Sequence, residues 1–217
     1  MMNRSSILQL SGILAAVAFA FSLFMGAFST FGGYAFLFRL GLDGRVVSQI
    51  NSGAHLLISV LLAAAFGILS MDKENLVAGL IGAIRAGICC ILSFLGLIGA
   101  LWVYDDSMFC WPLVRIGLAV MFVLSLVLIK NTVSRRLRVL AMIAAAYMLV
   151  SQLVLQGAHI YRLCFGVSLA EMQPIYAVLR FFMVSPVLMC TVVLIVYFIA
   201  QACSSNRLQS AFTEASH

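Results

Sequence analysis

Long apolar runs alternate with short polar breaks along this chain. Six runs approach or exceed the roughly 20 residues that a helix needs to cross a hydrocarbon core: 7–31, 46–70, 76–103, 112–129, 137–156 and 175–201. The breaks are compact: Arg39, Asp43 and Arg45, then 72–75, 104–107, 130–138 and 159–173. Short breaks make successive helices antiparallel neighbours. Residues 1–217 therefore read as one membrane-embedded domain, an all-α bundle of six transmembrane helices with a short tail at 202–217. The first run outlasts the about 7–15 apolar residues of a cleaved signal peptide, so it reads as a retained anchor. Between the first two runs, Tyr34, Phe36, Leu37, Phe38, Leu40 and Leu42 make an apolar loop. It is either a short amphipathic segment in the headgroup layer or a continuation of the first helix.

Composition turns that pattern into a statement about solvent. Of 217 residues, 64% are hydrophobic and 9% charged, against about 45–50% and about 25% in soluble domains. The environment this chain fits is a lipid bilayer. Its formal charge of +6 would suggest nucleic acid in a soluble protein, but here most basic residues punctuate apolar runs, where they set orientation. With the N-terminus inside, Arg4, Lys73, Lys130, Arg135, Arg136, Arg138 and Arg207 gather on one side. Arg39, Arg45, Arg115, Arg162 and Arg180 fall on the other. This reading places both termini in the cytoplasm, and the membrane as a bacterial plasma membrane. Trp102 and Trp111 flank an acidic loop at Asp105 and Asp106 as interfacial aromatics.

Arg85 is the most informative residue. It sits about nine residues into the third run, near the bilayer midplane at about 1.5 Å per residue. A central Arg costs about 2.5–3.5 kcal/mol on the mildest insertion scales, and none of the six runs holds a carboxylate. The guanidinium must meet neutral acceptors, water, a headgroup or an anionic ligand. Two polar stripes are candidates to face it. Ser48, Asn51, Ser52, His55 and Ser59 share one face of the second run, and Met148, Gln152, Gln156 and His159 one face of the fifth. With Tyr147 and Ser151, they would line an outward-opening polar cavity around Arg85, or else bond helix to helix at about 0.6 kcal/mol per contact. The candidate ligand-binding residues are thus Arg85, His55, Gln152, Gln156, His159 and Tyr147.

Other chemistries find little support. Two membrane-level histidines without a third ligand do not make a metal site, no G-x-S-x-G turn occurs, and no cofactor motif is present. Cysteines 89, 90 and 190 lie inside runs, where Cys behaves as a small apolar residue. Cys110 and Cys164 are the pair that an oxidising outer compartment would join in a disulfide. Gly12-x3-Ala16-x3-Ala20 and Gly79-x3-Ala83-x3-Gly87 fit the small-residue pattern of close helix contacts, within the bundle or in a homodimer.

The stretch Glu74-Asn75-Leu76-Val77-Ala78-Gly79-Leu80-Ile81-Gly82-Ala83-Ile84-Arg85, and the basic loop 130–138 before an Ala-rich helix, resemble an uncharacterised family of bacterial six-span integral membrane proteins. In that family an acidic residue commonly follows the Arg on the same helix, whereas this chain has Ala86-Gly87-Ile88-Cys89. The resemblance implies a six-span bundle and no activity. The leading functional expectation is a non-enzymatic membrane protein that binds or helps transport a small anionic or amphiphilic molecule. It would act alone or as the substrate-binding subunit of a larger transporter. The alternatives are an assembly subunit that holds a membrane protein partner, and an intramembrane enzyme using His55 or His159.

Overall fold

A computed structural model describes residues 3–98, 110–131 and 133–214. They form α1 (Arg4–Thr30), α2 (Gly33–Arg39), α3 (Gly44–Leu69), α4 (Leu76–Leu97), α5 (Cys110–Leu128), α6 (Arg135–Phe165) and α7 (Leu169–Glu214). Six stretches are long and apolar enough to span a membrane: α1, α3, α4, α5, α6 and the Pro186–Ser204 part of α7. The chain is a six-span, all-α integral membrane protein. Trp102, Asp105 and Asp106 lie outside the described residues.

Local chemistry corrects several boundaries. Gly32 adopts φ 80 and ends the first helix, so the apolar loop becomes a separate short helix rather than a continuation of α1. The break expected at 159–173 shrinks to three residues, because α6 runs on to a left-handed cap at Gly166, φ 63. The next helix starts at once from a capping box. The Glu171 amide donates to Ser168 Oγ at 3.3 Å, while the Ser168 amide donates to Glu171 Oε2 at 3.0 Å. Cys164 consequently lies in the last turn of α6, and Cys110 opens α5.

The long helices pack as a closed ring. α1 contacts α3 and α7; α3 contacts α4, α4 contacts α5, α5 contacts α6, and α6 returns to α7. Alternating direction puts the start of α1, the α3–α4 turn and the α5–α6 turn at one end, which a polar network ties together. Arg4 donates to Asp72 at 3.3 Å and to Glu74 at 2.8 Å. Asn75, fully buried, pairs with the Lys130 backbone in both directions. Its Oδ1 accepts from the Lys130 amide at 2.7 Å, and its Nδ2 donates to the Lys130 carbonyl at 3.0 Å and to Asp72 at 2.6 Å. Asn131 donates to the Tyr197 hydroxyl and to Gln201. Gln201 in turn reaches the Leu8 carbonyl and Ser11 on α1.

Small residues set how closely the ring walls approach. A Cβ on Gly12 would stand 2.8 Å from the Phe198 carbonyl oxygen, so this stripe serves the α1–α7 seam. On α4 the contact runs along Ala78, Gly79, Gly82 and Ala86, all buried. A Cβ on Gly79 would meet the Ser70 backbone at 2.4 Å, and one on Gly82 the Phe66 ring at 2.3 Å, whereas Gly87 faces open space. Of the pattern 79/83/87, Gly79 and Ala83 pack on the core and Gly87 does not, while Gly82 makes a close contact that the pattern leaves out. Gly79→Ala is expected to destabilise the bundle by about 1–3 kcal/mol, the range for overpacking against backbone that cannot yield. Gly87→Ala is expected to be neutral or slightly stabilising, because Ala is the better helix former. Denaturant titration of both variants in micelles checks the contrast.

Candidate functional site

Inside the ring, on the side away from the Arg4 network, lies a cavity of about 650 Å³. That is within the roughly 300–1,000 Å³ of small-molecule sites. All six long helices contribute. α3 supplies Asn51, Ser52, His55, Ile58, Ser59 and Leu62; α4 supplies Arg85, Cys89, Leu92 and Ser93. From α5 come Trp111, Arg115, Leu118, Ala119 and Phe122, and from α6 Met148, Leu149, Ser151, Gln152, Leu155 and Gln156. Phe19 and Ser22 of α1 and Val187 and Thr191 of α7 complete the wall. No Asp or Glu is among these lining residues. A second groove of about 360 Å³ lies between α1 and α7 and is almost wholly apolar.

The deep end is built on Arg85. Nine residues into α4, it stands about 14 Å from that helix's start, near the middle of a core about 30 Å thick. Its Nε donates to the Leu118 carbonyl at 3.0 Å, and its guanidinium lies 4.8 Å from the centre of the Phe122 ring. Both are neutral partners. Among the described residues the ion pairs are those of Arg4 with Asp72 and Glu74, at the opposite end of the ring. Phe122 also belongs to the floor: its ring is 5.8 Å from Phe19, which stacks on Phe198 at 5.6 Å. Below that aromatic layer comes the Asn131–Tyr197–Gln201 network, so this end of the ring is closed twice.

Toward the rim the wall becomes polar. Ser151 and Thr191 turn their hydroxyls back to Met148 and Val187 carbonyls at 2.8 and 2.9 Å. Gln156 is 4% exposed, and its Nε2 donates to Gln152 Oε1 at 3.5 Å. Its Oε1 meets no hydrogen-bond donor among the described residues. A buried acceptor in that state costs about 1–3 kcal/mol and marks a place where a ligand donor or water would be held.

Of the residues singled out by pattern, the fold brings Arg85, His55, Gln152 and Gln156 to one cavity. Two others are not among its lining residues. His159 packs on Tyr176 of α7, with ring centres 4.8 Å apart and its Nδ1 3.1 Å from the tyrosine hydroxyl. Tyr147 is half-buried on α6. Cys110 and Cys164 are exposed free thiols in separate helices and form no bridge with each other. Trp111 and Arg115 line the cavity as well, although the pattern assigns Arg115 to the outer-side charges that set orientation and Trp111 to the interface. Yet the signal was present. Trp111, Arg115, Leu118 and Phe122 follow spacings of four, three and four, which is one face of α5. Arg115 stacks on Trp111 at 5.1 Å within that stripe. Searches against family models, curated proteins and solved structures find no match for the chain, so the cavity's own chemistry is the ground for a functional reading.

Proposed function

We propose that the central cavity binds a small anionic or amphiphilic molecule and helps it cross the bilayer, either alone or as the binding subunit of a larger transporter. The observation that supports this reading is Arg85: a guanidinium at the membrane midplane, in a cavity with no described carboxylate on its wall. Its neutral contacts leave its charge to be matched by what enters. A carboxylate or phosphate there would accept charge-assisted hydrogen bonds, each worth about 1.5–3 kcal/mol. Phe19, Ile58, Leu62 and Phe122 offer an apolar part of the same molecule a dry surface. Midplane sites at the centre of helical bundles are where transporters hold their substrates.

Positive charge argues the orientation. Arg4, Lys73, Lys130, Arg135, Arg136 and Arg138 mark the closed end. We infer that this end faces the cytoplasm of a bacterial cell, and that the cavity opens outward. Native mass spectrometry of the purified chain beside Arg85→Leu tests the reading. The expected result is a co-purified anionic mass on the parent and none on the folded variant; two equally folded, bare proteins would count against it.

A further inference from the structure

We propose that α2 is a hinged flap, seated in the headgroup layer at the rim of the cavity, that controls passage of an amphiphile between the bilayer interface and the cavity. This rests on the cavity being the binding site. The flap's ends come first. Gly32 and Gly41 flank α2 at φ +80 and φ +82, left-handed conformations that Gly adopts without strain, and neither has an atom within 4 Å of where a Cβ would be. No residue of α2 is buried. A seven-residue helix between two such glycines can swivel as a unit once Gly33 parts from the Phe28 ring against which it packs.

Its exposed side matches a bilayer boundary. Phe36 is 58% exposed and Phe38 52%, on two sides of the short helix and beside the exposed Arg39, and Phe31, just ahead of the Gly32 hinge, is 84% exposed. α2 joins the end of one spanning helix to the start of the next, which is headgroup depth. Aromatic rings there favour the interface, and an Arg reaches phosphates. The occupant we assign to this face is the headgroup–acyl boundary of the membrane itself.

One polar tether links the flap to the cavity. The Tyr34 hydroxyl donates to Asn51 Oδ1, and Asn51 lines the cavity at its rim. The Tyr34 ring also meets Phe28 of α1 edge-on at 5.7 Å. Tyr34 is half-buried, and partial desolvation raises its phenol above the ordinary value, so it stays a neutral donor. Releasing that bond frees α2 to rotate about its glycines, and the rim between α1 and α3 opens toward the interface.

Cys89 supplies the reporter, since it lines the cavity one turn from Arg85. The full chain, with its other five cysteines changed to alanine, is placed in phosphatidylcholine–phosphatidylglycerol vesicles and alkylated with N-dodecylmaleimide, which partitions into the bilayer and enters from the interface rather than through the outward mouth. Tyr34→Phe keeps the ring and removes the donor. Alkylation of Cys89 is expected to quicken about two- to tenfold, the effect of one hydrogen bond on a two-state equilibrium. In the same vesicles Phe36→Trp, read as a difference from the parent's own tryptophans, is expected to be quenched by lipids brominated near the headgroup. An unchanged alkylation rate overturns the flap and leaves the cavity reading intact, as does a Trp that shallow bromines do not quench. Failure of the cavity looks different: Cys89 then resists the reagent in parent and variant alike and reacts only after unfolding, which overturns both.

Discussion

Arg85→Leu is expected to lower affinity for the co-purified anion about 10- to 150-fold while leaving the bundle as stable as the parent, or slightly more so. The two effects have separate causes. Affinity falls because the charge-assisted bonds to the ligand, about 1.5–3 kcal/mol, go with the guanidinium. Stability holds because Arg85 anchors little else: one bond to the Leu118 carbonyl and a ring contact with Phe122. That carbonyl lies within α5, so it keeps its helical partner when Arg85 is gone. Against that small loss, the variant is relieved of the about 2.5–3.5 kcal/mol that a midplane Arg costs. A charge carried at that cost is what the proposed binding role of Arg85 would account for. Arg85→Lys sharpens the test: it keeps the charge and loses the planar fork, so affinity should fall about tenfold or less. Thermal unfolding in nanodiscs, paired with a titration of the anion that native mass spectrometry identifies, reads both quantities. A Leu variant that unfolds would instead assign Arg85 to holding α4 on α5.

Asn75→Ala carries the largest expected loss of stability, about 2–4 kcal/mol. The side chain amide of Asn75 is the link between two turns that share no sequence proximity. It satisfies the Lys130 amide and carbonyl and one oxygen of Asp72, all from a fully buried position. Alanine strands those groups, and each buried orphan costs about 1–3 kcal/mol unless water reaches it. Arg4→Gln at the same end offers the comparison. Arg4 and Glu74 are each about half-exposed, at 45% and 51%, and such pairs are worth about 0–1 kcal/mol, while the buried Asp72 keeps the Asn75 amide as a donor when Arg4 is gone. Denaturant midpoints in mixed micelles should therefore rank Asn75→Ala well below Arg4→Gln. Equal midpoints would mean that water replaces the amide without loss, and that the α3–α4 and α5–α6 turns are held by the helices alone.

Much of this architecture was legible because lipid is a simple solvent. It rewards apolar length and penalises any unpaired backbone group, so six apolar runs become six spanning helices with little competition. Arg85 was legible for the same reason, since nothing else in the third run is so expensive to bury. The Ser48–Ser59 and Met148–His159 stripes were half legible. Spacing puts His55, Gln152 and Gln156 on the correct faces, but His159 continues its stripe into the last two turns of α6 and meets Tyr176 instead of the cavity. The six-helix ring was not legible. Nothing in the local pattern says that α1 closes against α7 as well as α3, and that closure decides which faces look inward.

The solvent, the number of spans, the charged end and the midplane charge with no carboxylate in its run can be read from the residues alone, because each follows from what a residue costs in hydrocarbon wherever its neighbours are. It took the packing of the helices to lay Arg85 over Phe122, to bring Arg115 and Trp111 to the same cavity and to lock Asn75 to Lys130. Those pairs join segments 26 to 55 residues apart, and their geometry is set by ring closure and by the close packing at Gly12, Gly79 and Gly82, which no local periodicity encodes.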